Sequence, residues 1–303
     1  MTRPLAGQTA VVTGANSGVG RSAAEMLLQA GAHGTMICRS RERGERALAE
    51  MRESAMAGES AEGPNASGTG GAARRPELTL EIADLSRQAD VRAAADRIAT
   101  RLPAVDILVN NAGISQIRPV LSADGFELAF ATNHIGLFLL THLLLECLEA
   151  GRGRIVNVSS RGHRGGDLRR ASLDDIARGR AWKGPLQAYT DSKLANILFT
   201  LESVRRWSGR GITANALHPG VLATDIWKKT PWIARLLIRP FTWFMEKPEI
   251  GGAAVMNLVG DPAGDTVTGR YFNVLSRERP SPQAEDEILA RELWERSLDW
   301  TGG

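Results

Sequence analysis

The opening of this chain narrows the available folds more than any other feature. Thr9-Ala-Val-Val-Thr-Gly14-Ala-Asn-Ser-Gly18-Val-Gly20-Arg21 takes a short apolar run straight into a glycine-rich turn, and Ala23, Ala24, Met26, Leu27 and Leu28 follow at helical spacing. Strand, glycine turn and helix N-terminus in that order make an anion-binding arrangement, because unpaired backbone N–H groups and the helix dipole converge on one point. Glycine permits the tight turn and lets the backbone close on a pyrophosphate. The spacing is Gly-x-x-x-Gly-x-Gly, which differs from the common Gly-x-Gly-x-x-Gly fingerprint, so the turn alone is weakly specific. Its context adds weight. Apolar runs near 9–14, 34–39, 78–82, 105–110, 153–159, 212–218 and 270–274 alternate with helical patterns. That rhythm predicts an α/β fold, a doubly wound (Rossmann-type) parallel sheet of about seven strands with helices on both faces. One domain is expected over 1–303, since neither an internal repeat nor a domain boundary interrupts the alternation.

Composition then removes whole classes of function. At 303 residues with 43% hydrophobic content the chain has ample core. The formal charge of +3 comes without a basic stripe interleaved with aromatics, so a nucleic-acid partner is not expected. Cys38 and Cys147 read as small buried hydrophobes rather than a disulfide framework, which fits a reducing compartment. The five histidines are scattered without metal-ligand spacing, so no metal is expected. The N-terminus has no signal-peptide pattern, and the apolar stretch Ile135 to Leu145 is interrupted by Thr141 and His142. It falls far short of the ~20 residues that span a bilayer, so a cytoplasmic protein is expected. Residues 57–76 hold glycine, proline and small polar residues without hydrophobic periodicity, and read as a flexible surface insertion.

Tyr189 and Lys193 stand four apart in Ala188-Tyr-Thr-Asp-Ser-Lys-Leu-Ala-Asn196, in a chain with only two tyrosines. On a helix they share one face, and a cation beside a phenol favours the phenolate, bringing its pKa toward the range useful for proton transfer. Lysine suits this as a compact charge with three donors. The same pair is also common on solvated helix faces, so spacing by itself leaves both readings open.

Thr13-Gly-Ala-Asn-Ser-Gly-Val-Gly20, Asn110-Asn-Ala-Gly113, Ile155-Val-Asn-Val-Ser-Ser160, Tyr189-x-x-x-Lys193 and His218-Pro-Gly220 occur in that order. In this the chain resembles the short-chain dehydrogenases/reductases. It is most similar to their retinol-dehydrogenase-like branch, through Ile37-Cys-Arg-Ser40, Ser192-Lys-Leu-Ala-Asn-Ile-Leu-Phe-Thr200, Leu217-His-Pro-Gly-Val221 and Leu293-Trp-Glu-Arg-Ser297. The resemblance implies that Tyr189 is general acid in carbonyl reduction and base in alcohol oxidation, with Lys193 binding the nicotinamide ribose and lowering the phenol's pKa. It implies that Ser160 bonds the substrate oxygen; Ser159 is the neighbouring candidate, but strand alternation lets only one of the two face the site. Asn133 would bend a helix and support a proton relay through water, while the adjacent His134 reads as structural.

For the cofactor, the resemblance implies contacts from Gly14, Asn16, Ser17, Gly18, Val19 and Gly20 in the turn, and from Tyr189 and Lys193. Asp84 and Leu85 would meet the adenine, Asn111, Ala112 and Gly113 the adjacent ribose, and Pro219, Gly220 and Thr224 the nicotinamide side. The end of the second strand argues cofactor choice. A carboxylate there binds a ribose 2′-OH, and an arginine accommodates a 2′-phosphate. This chain has Arg39 and Ser40 and no carboxylate at that point, which predicts NADP(H). After the His-Pro-Gly turn the family places a helical substrate lid, here 225–248, where Trp227, Trp232, Trp243, Phe241 and Phe244 mix with basic residues. Plain packing on the core and an interfacial helix touching a membrane are the other readings of that stretch. The expected activity is hydride transfer between NADP(H) and a lipophilic ketone, aldehyde or alcohol of retinoid, steroid or polyketide type. A ketoreductase tailoring a secondary metabolite and a catalytically silent NADP-binding sensor or scaffold are the alternatives. The small lipophilic substrate is the one partner expected; peripheral membrane contact and homo-oligomerisation stay open.

Overall fold

Eight strands in the order β3-β2-β1-β4-β5-β6-β7-β8 form the central sheet of the computed structural model, which describes residues 4–61, 76–220, 247–260 and 267–302. The strands are β1 (Thr9–Thr13), β2 (His33–Cys38), β3 (Leu78–Ile82), β4 (Ile107–Asn110), β5 (Arg154–Val158), β6 (Thr213–His218), β7 (Tyr271–Asn273) and β8 (Ser276–Glu278). The first seven pair in parallel, and β8 returns antiparallel onto β7. The seven expected strands are all present. The eighth is a three-residue polar segment, Ser-Arg-Glu, with no apolar run by which the sequence could reveal it.

Both faces of the sheet are covered. In β1, Val11 packs into one hydrophobic cluster while Ala10 and Val12 pack into the other, so the strand reads as a continuous apolar run. Helices α1 (Gly18–Gln29) and α2 (Arg41–Ala61) follow β1 and β2, and α3 (Gln88–Arg101) follows β3. A compound helix, α4, runs through Leu128–Phe130, a π-helical turn Ala131–Ile135, and Gly136–Leu143. After it come α5 (Pro185–Arg206), α6 (Pro248–Val259) and α7 (Glu287–Thr301). Pro185 and Pro248 open their helices where a missing N–H costs nothing.

The C-terminal α7 covers the outside of α5 with aromatic side chains. The Trp294 ring lies 5.1 Å from Phe138, 5.9 Å from Phe199 and 5.6 Å from Trp207. Trp300 lies 6.0 Å from Phe130 and donates its indole N–H to Asp174 at 2.8 Å. Two sequence expectations meet the edge of the described residues. α2 continues to Ala61, so the insertion placed at 57–76 begins inside a helix, and 62–75 lie outside the described residues. Of the 225–248 stretch, only Lys247 and Pro248 are described.

Candidate active site

The strand order reverses direction between β1 and β4, and every candidate residue among those described follows the carboxyl end of a strand or sits on a helix facing that end. In open α/β sheets this is where a ligand crevice forms. The first wall is the glycine turn. Gly14 and Gly18 have φ of +66° and +58°, backbone that favours glycine. A Cβ on Gly20 would lie 2.3 Å from Asn111 Nδ2 and 2.6 Å from the Gly14 carbonyl, so the turn and the β4 end touch through bare backbone. Ser17 precedes α1 in extended conformation and makes no side-chain cap bond, leaving the first N–H groups of the helix open to an anion.

Thr13, not singled out in the sequence, locks this wall. Its hydroxyl accepts the N–H groups of Asn111 and Ala112 at 2.9 Å each and donates to the Val109 carbonyl at 3.3 Å. Asn111 donates back to the Thr13 carbonyl at 2.9 Å. Deeper in the sheet, Asn110 donates to Asn157 and Thr141 at 2.8 Å each, and Asn157 to Thr200 at 2.9 Å. This buried polar ladder ties β4, β5, α4 and α5 into one frame. In the sequence its only signal is polar residues standing inside apolar runs.

The other positions of the predicted cofactor cleft are accounted for as follows. Arg39 is exposed at the end of β2, and no ion pair to another described residue holds it. Ser40 accepts the Arg43 N–H at 3.3 Å and so also serves the start of α2. Asp84 accepts the N–H and hydroxyl of Ser86 at 3.0 and 2.7 Å. The Leu85 carbonyl lies so close to Gly136 that a Cβ there would meet it at 2.0 Å. Pro219 and Gly220 are buried after β6, Gly220 with φ +98°, and Thr224 lies outside the described residues.

Ser160, Tyr189, Lys193 and Asn133 converge on the second wall. Ser160 Oγ and the Tyr189 ring edge both lie against Gly162, at 3.3 and 3.7 Å from where a Cβ on it would stand, and the Ser160 Oγ accepts the Gly162 N–H at 3.0 Å. Ser159 points inward and donates to the Lys193 carbonyl at 2.7 Å, so alternation assigns the two serines opposite faces, with Ser160 toward the phenol. Lys193 Nζ lies 5.7 Å from the Tyr189 ring centroid and donates to the Val158 carbonyl at 2.9 Å. Gly113 makes room for this ammonium, because a Cβ there would stand 3.2 Å from Nζ. Asn133 occupies the π-helical turn of α4, fully buried. Its amide donates to the Ile114 carbonyl and to Ser192 Oγ at 2.9 Å each and accepts the Ile114 N–H at 2.7 Å. A π turn inside an α-helix is a frequent mark of a functional position, and here it is the bend expected at Asn133.

Burial governs the electrostatics. It pushes the Tyr189 phenol up from its ordinary value, with the neighbouring Ser160 hydroxyl opposing. It pushes the Lys193 ammonium down to about 8. The phenol therefore moves opposite to the direction expected of a tyrosine beside a lysine. Removing water disfavours charge on both partners, and that outweighs their attraction at this separation. Tyr189 consequently holds its proton at neutral pH. His134 is buried and neutral, its pKa pushed down to about 3, and its ring hydrogen-bonds Ser297 at 3.0 Å in the packing of α4 on α7.

Comparison with known proteins decides the family. A profile described as short chain dehydrogenase matches residues 8–67, and one described as Enoyl-(Acyl carrier protein) reductase matches 72–274. Human Retinol dehydrogenase 14 is 39% identical over 296 residues, covering 96% of this chain and 85% of the relative. Human Dehydrogenase/reductase SDR family member 13 is 38% identical over 301 residues, covering 98% and 74%. The chain belongs to the short-chain dehydrogenase/reductase family. Within that family it falls in the retinol-dehydrogenase-like branch. A solved structure of an uncharacterized protein from Mycobacterium paratuberculosis superposes with TM-score 0.72 at 29% identity, covering 100% of this chain and 97% of that one. The Pseudomonas aeruginosa RhlG/NADP active-site complex shares the fold, with TM-score 0.67 at 23% identity, covering 89% and 95%.

As a short-chain dehydrogenase/reductase, the protein is an oxidoreductase acting on CH–OH and C=O groups with a nicotinamide cofactor. The cleft fits such a dinucleotide. The glycine turn leaves a cradle that side chains would fill, and the uncapped start of α1 offers N–H groups to the phosphates. Among the described residues no cluster of histidine, cysteine, aspartate and glutamate could hold a metal ion, and no helix is long and apolar enough to cross a membrane.

Proposed function

We propose that the protein is NADP(H)-dependent and interconverts lipophilic ketones or aldehydes with their alcohols, using Tyr189, Lys193, Ser160 and Asn133. The observation that carries the chemistry is the placing of a half-buried Tyr189 ring beside Ser160 Oγ and 5.7 Å from the Lys193 ammonium. When bound, the nicotinamide supplies or accepts the hydride. In reduction, Tyr189 delivers its Oη proton to the carbonyl oxygen. Ser160 hydrogen-bonds the same oxygen; because Gly162 N–H already donates to its Oγ, its own hydrogen is free to be given. Lys193 spends one N–H on Val158 and keeps two for a ribose diol. Asn133 keeps Ile114 in place and, through its bend, opens α4 toward a water path. In oxidation the proton moves the other way, from the alcohol to Tyr189.

Two features support the finer assignment. Arg39 stands exposed at the end of β2 with no carboxylate in the diagnostic position, which suits a 2′-phosphate. Exposed Ile117, Val120, Leu121 and Leu186 lie on the segments leading from Gly113 and into Tyr189, an apolar approach of the kind a lipophilic substrate needs, and relatives are named retinol dehydrogenases. The test is cofactor oxidation against a graded series of hydrophobic carbonyls, with NADPH and NADH, in wild type and Arg39→Asp. NADPH should be preferred, with specificity constants rising with substrate hydrophobicity. Arg39→Asp should move the cofactor ratio toward NADH by on the order of 10- to 100-fold, the scale of one charge-assisted hydrogen bond. A wild type that prefers NADH ends the NADP(H) reading.

A further inference from the structure

The 3-10 turn Arg161–Gly165, immediately after Ser160, carries a histidine that the chemistry above does not use. His163 is completely buried, and both of its ring nitrogens are engaged. Nδ1 lies 2.6 Å from the Ser160 carbonyl oxygen, and the Ser281 N–H reaches Nε2 at 3.0 Å. A main-chain N–H can only donate, so Nε2 accepts, and the ring proton sits on Nδ1 and is given to Ser160. The same carbonyl also accepts the His163 main-chain N–H at 3.1 Å. Ser160 is thereby held at its carbonyl by His163 and at its hydroxyl by Gly162, two fixings on opposite ends of one residue.

The ring is itself braced on every side. It stands edge-on to Tyr271 of β7 at 4.8 Å. Next to it, Arg164 donates to the Arg279 carbonyl at 2.8 Å, a second tie between this turn and the segment that leads to Ser281. On its other side the turn presses on α5. A Cβ on Gly166 would meet the Thr190 carbonyl at 2.7 Å, and one on Gly162 would lie 3.4 Å from Thr190 Cγ2. The turn cannot shift toward α5, and His163 stops it from moving away.

We infer that His163 is a positioning residue that sets the orientation of Ser160 toward Tyr189 by bridging the serine's carbonyl to the Ser281 segment. It touches neither substrate nor cofactor and acts through Ser160, so the inference rests on the role proposed for that serine. Its neutral form with the proton on Nδ1 is the working one, and burial, which pushes the imidazole pKa down, keeps it so.

Two substitutions separate the two ring nitrogens. His163→Asn places an amide N–H near the position of Nδ1 and retains the donor to Ser160 while giving up the acceptor for Ser281. His163→Gln places its amide near Nε2, retaining the Ser281 bond and giving up the donor to Ser160. The measurements are kcat, KM for the carbonyl, and equilibrium cofactor binding. His163→Gln should lose on the order of 10- to 100-fold in kcat, the scale on which a misplacement of about 1 Å acts, with cofactor affinity unchanged, and His163→Asn should recover most of that loss. Equal loss in both variants, or wild-type kcat in His163→Gln, would falsify the assignment. If neither variant folds, the ¹⁵N shifts of the wild-type imidazole decide. A bare Nε2 and a protonated Nδ1 support the bridge, and the opposite tautomer overturns it. The tautomer reads the bridge without turnover, so an inactive wild type, or an unaffected Tyr189→Phe, would sink the proposed function while leaving this test standing.

Discussion

Lys193 is buried and Tyr189 half-buried, and desolvation pushes each toward its neutral form. A phenol in that condition is a proton donor waiting for a base, which is what a developing alkoxide provides. Tyr189→Phe keeps the ring and its packing and removes only the hydroxyl. Turnover should therefore fall by about 10²–10⁴-fold, the usual scale of general acid–base catalysis, while cofactor binding measured by fluorescence stays near wild type. Comparable turnover in the variant would take the proton from Tyr189. The positions of the tyrosine, the lysine and Ser160 were picked out by the order of the family motifs, while strand alternation said only that Ser159 and Ser160 face opposite sides. The direction of the phenol's shift could not be read this way. It depends on how much water the folded site excludes, which spacing along a helix does not encode. Thr13 was equally silent, because a hydroxyl at the end of an apolar strand reads as one more β-branched residue until its partners at Asn111 and Ala112 are known.

Among the elements, α4 shows most clearly how backbone shape serves the site. Its π turn closes with the Gly136 N–H donating to the Ala131 carbonyl, and Gly136 is the residue on which the Leu85 carbonyl rests. A methyl group there would lie 2.0 Å from that oxygen, and backbone yields less readily than a side chain. Gly136→Ala should cost about 1–3 kcal/mol, as other overpacked positions do, and should weaken cofactor binding by displacing Leu85. Urea denaturation together with cofactor titration would test it; an unaltered midpoint would show that the contact is not tight. Strand positions were legible to within a residue or two because β1 to β7 each carry a short apolar run, almost wholly buried in β1, β4 and β5. β8 was hidden for the converse reason, being short, polar and at the edge. The insertion expected at 57–76 overlaps the end of α2 because Ala57, Gly58, Ser60 and Ala61 are small residues compatible with helix and loop alike.

Over the whole molecule, histidine burial couples stability to pH. His134 is pushed down to about 3 and His218 to about 4 by burial, and His163 is also lowered. In the unfolded chain each returns to about 6.5. The unfolded state therefore binds more protons as pH falls, and the stability these groups support is complete above about 6.5 and is lost below it. His134 and His218 should each remove about 1.4 kcal/mol per pH unit between about 6.5 and their folded values. The urea midpoint should drop steadily from pH 7 to pH 5, and His134→Phe should flatten part of that slope. A midpoint constant across this range would mean that the imidazoles are not kept neutral by burial.

The aromatic cap of α7 also bears on the order in which the protein can be made. Phe138, Phe199, Trp207 and Trp294 form one cluster, yet its last ring is supplied by a helix that begins at Glu287. On a ribosome, the early strands and the glycine turn can pair before α7 is made, but the outer flank of the helix bearing Tyr189 stays bare until α7 has emerged. Domains generally fold as units during translation, and the aromatic packing of this one waits on α7. Until then Phe138, Phe199 and Trp207 lack their Trp294 partner, and transiently exposed apolar surface of this kind is what makes folding intermediates prone to aggregate.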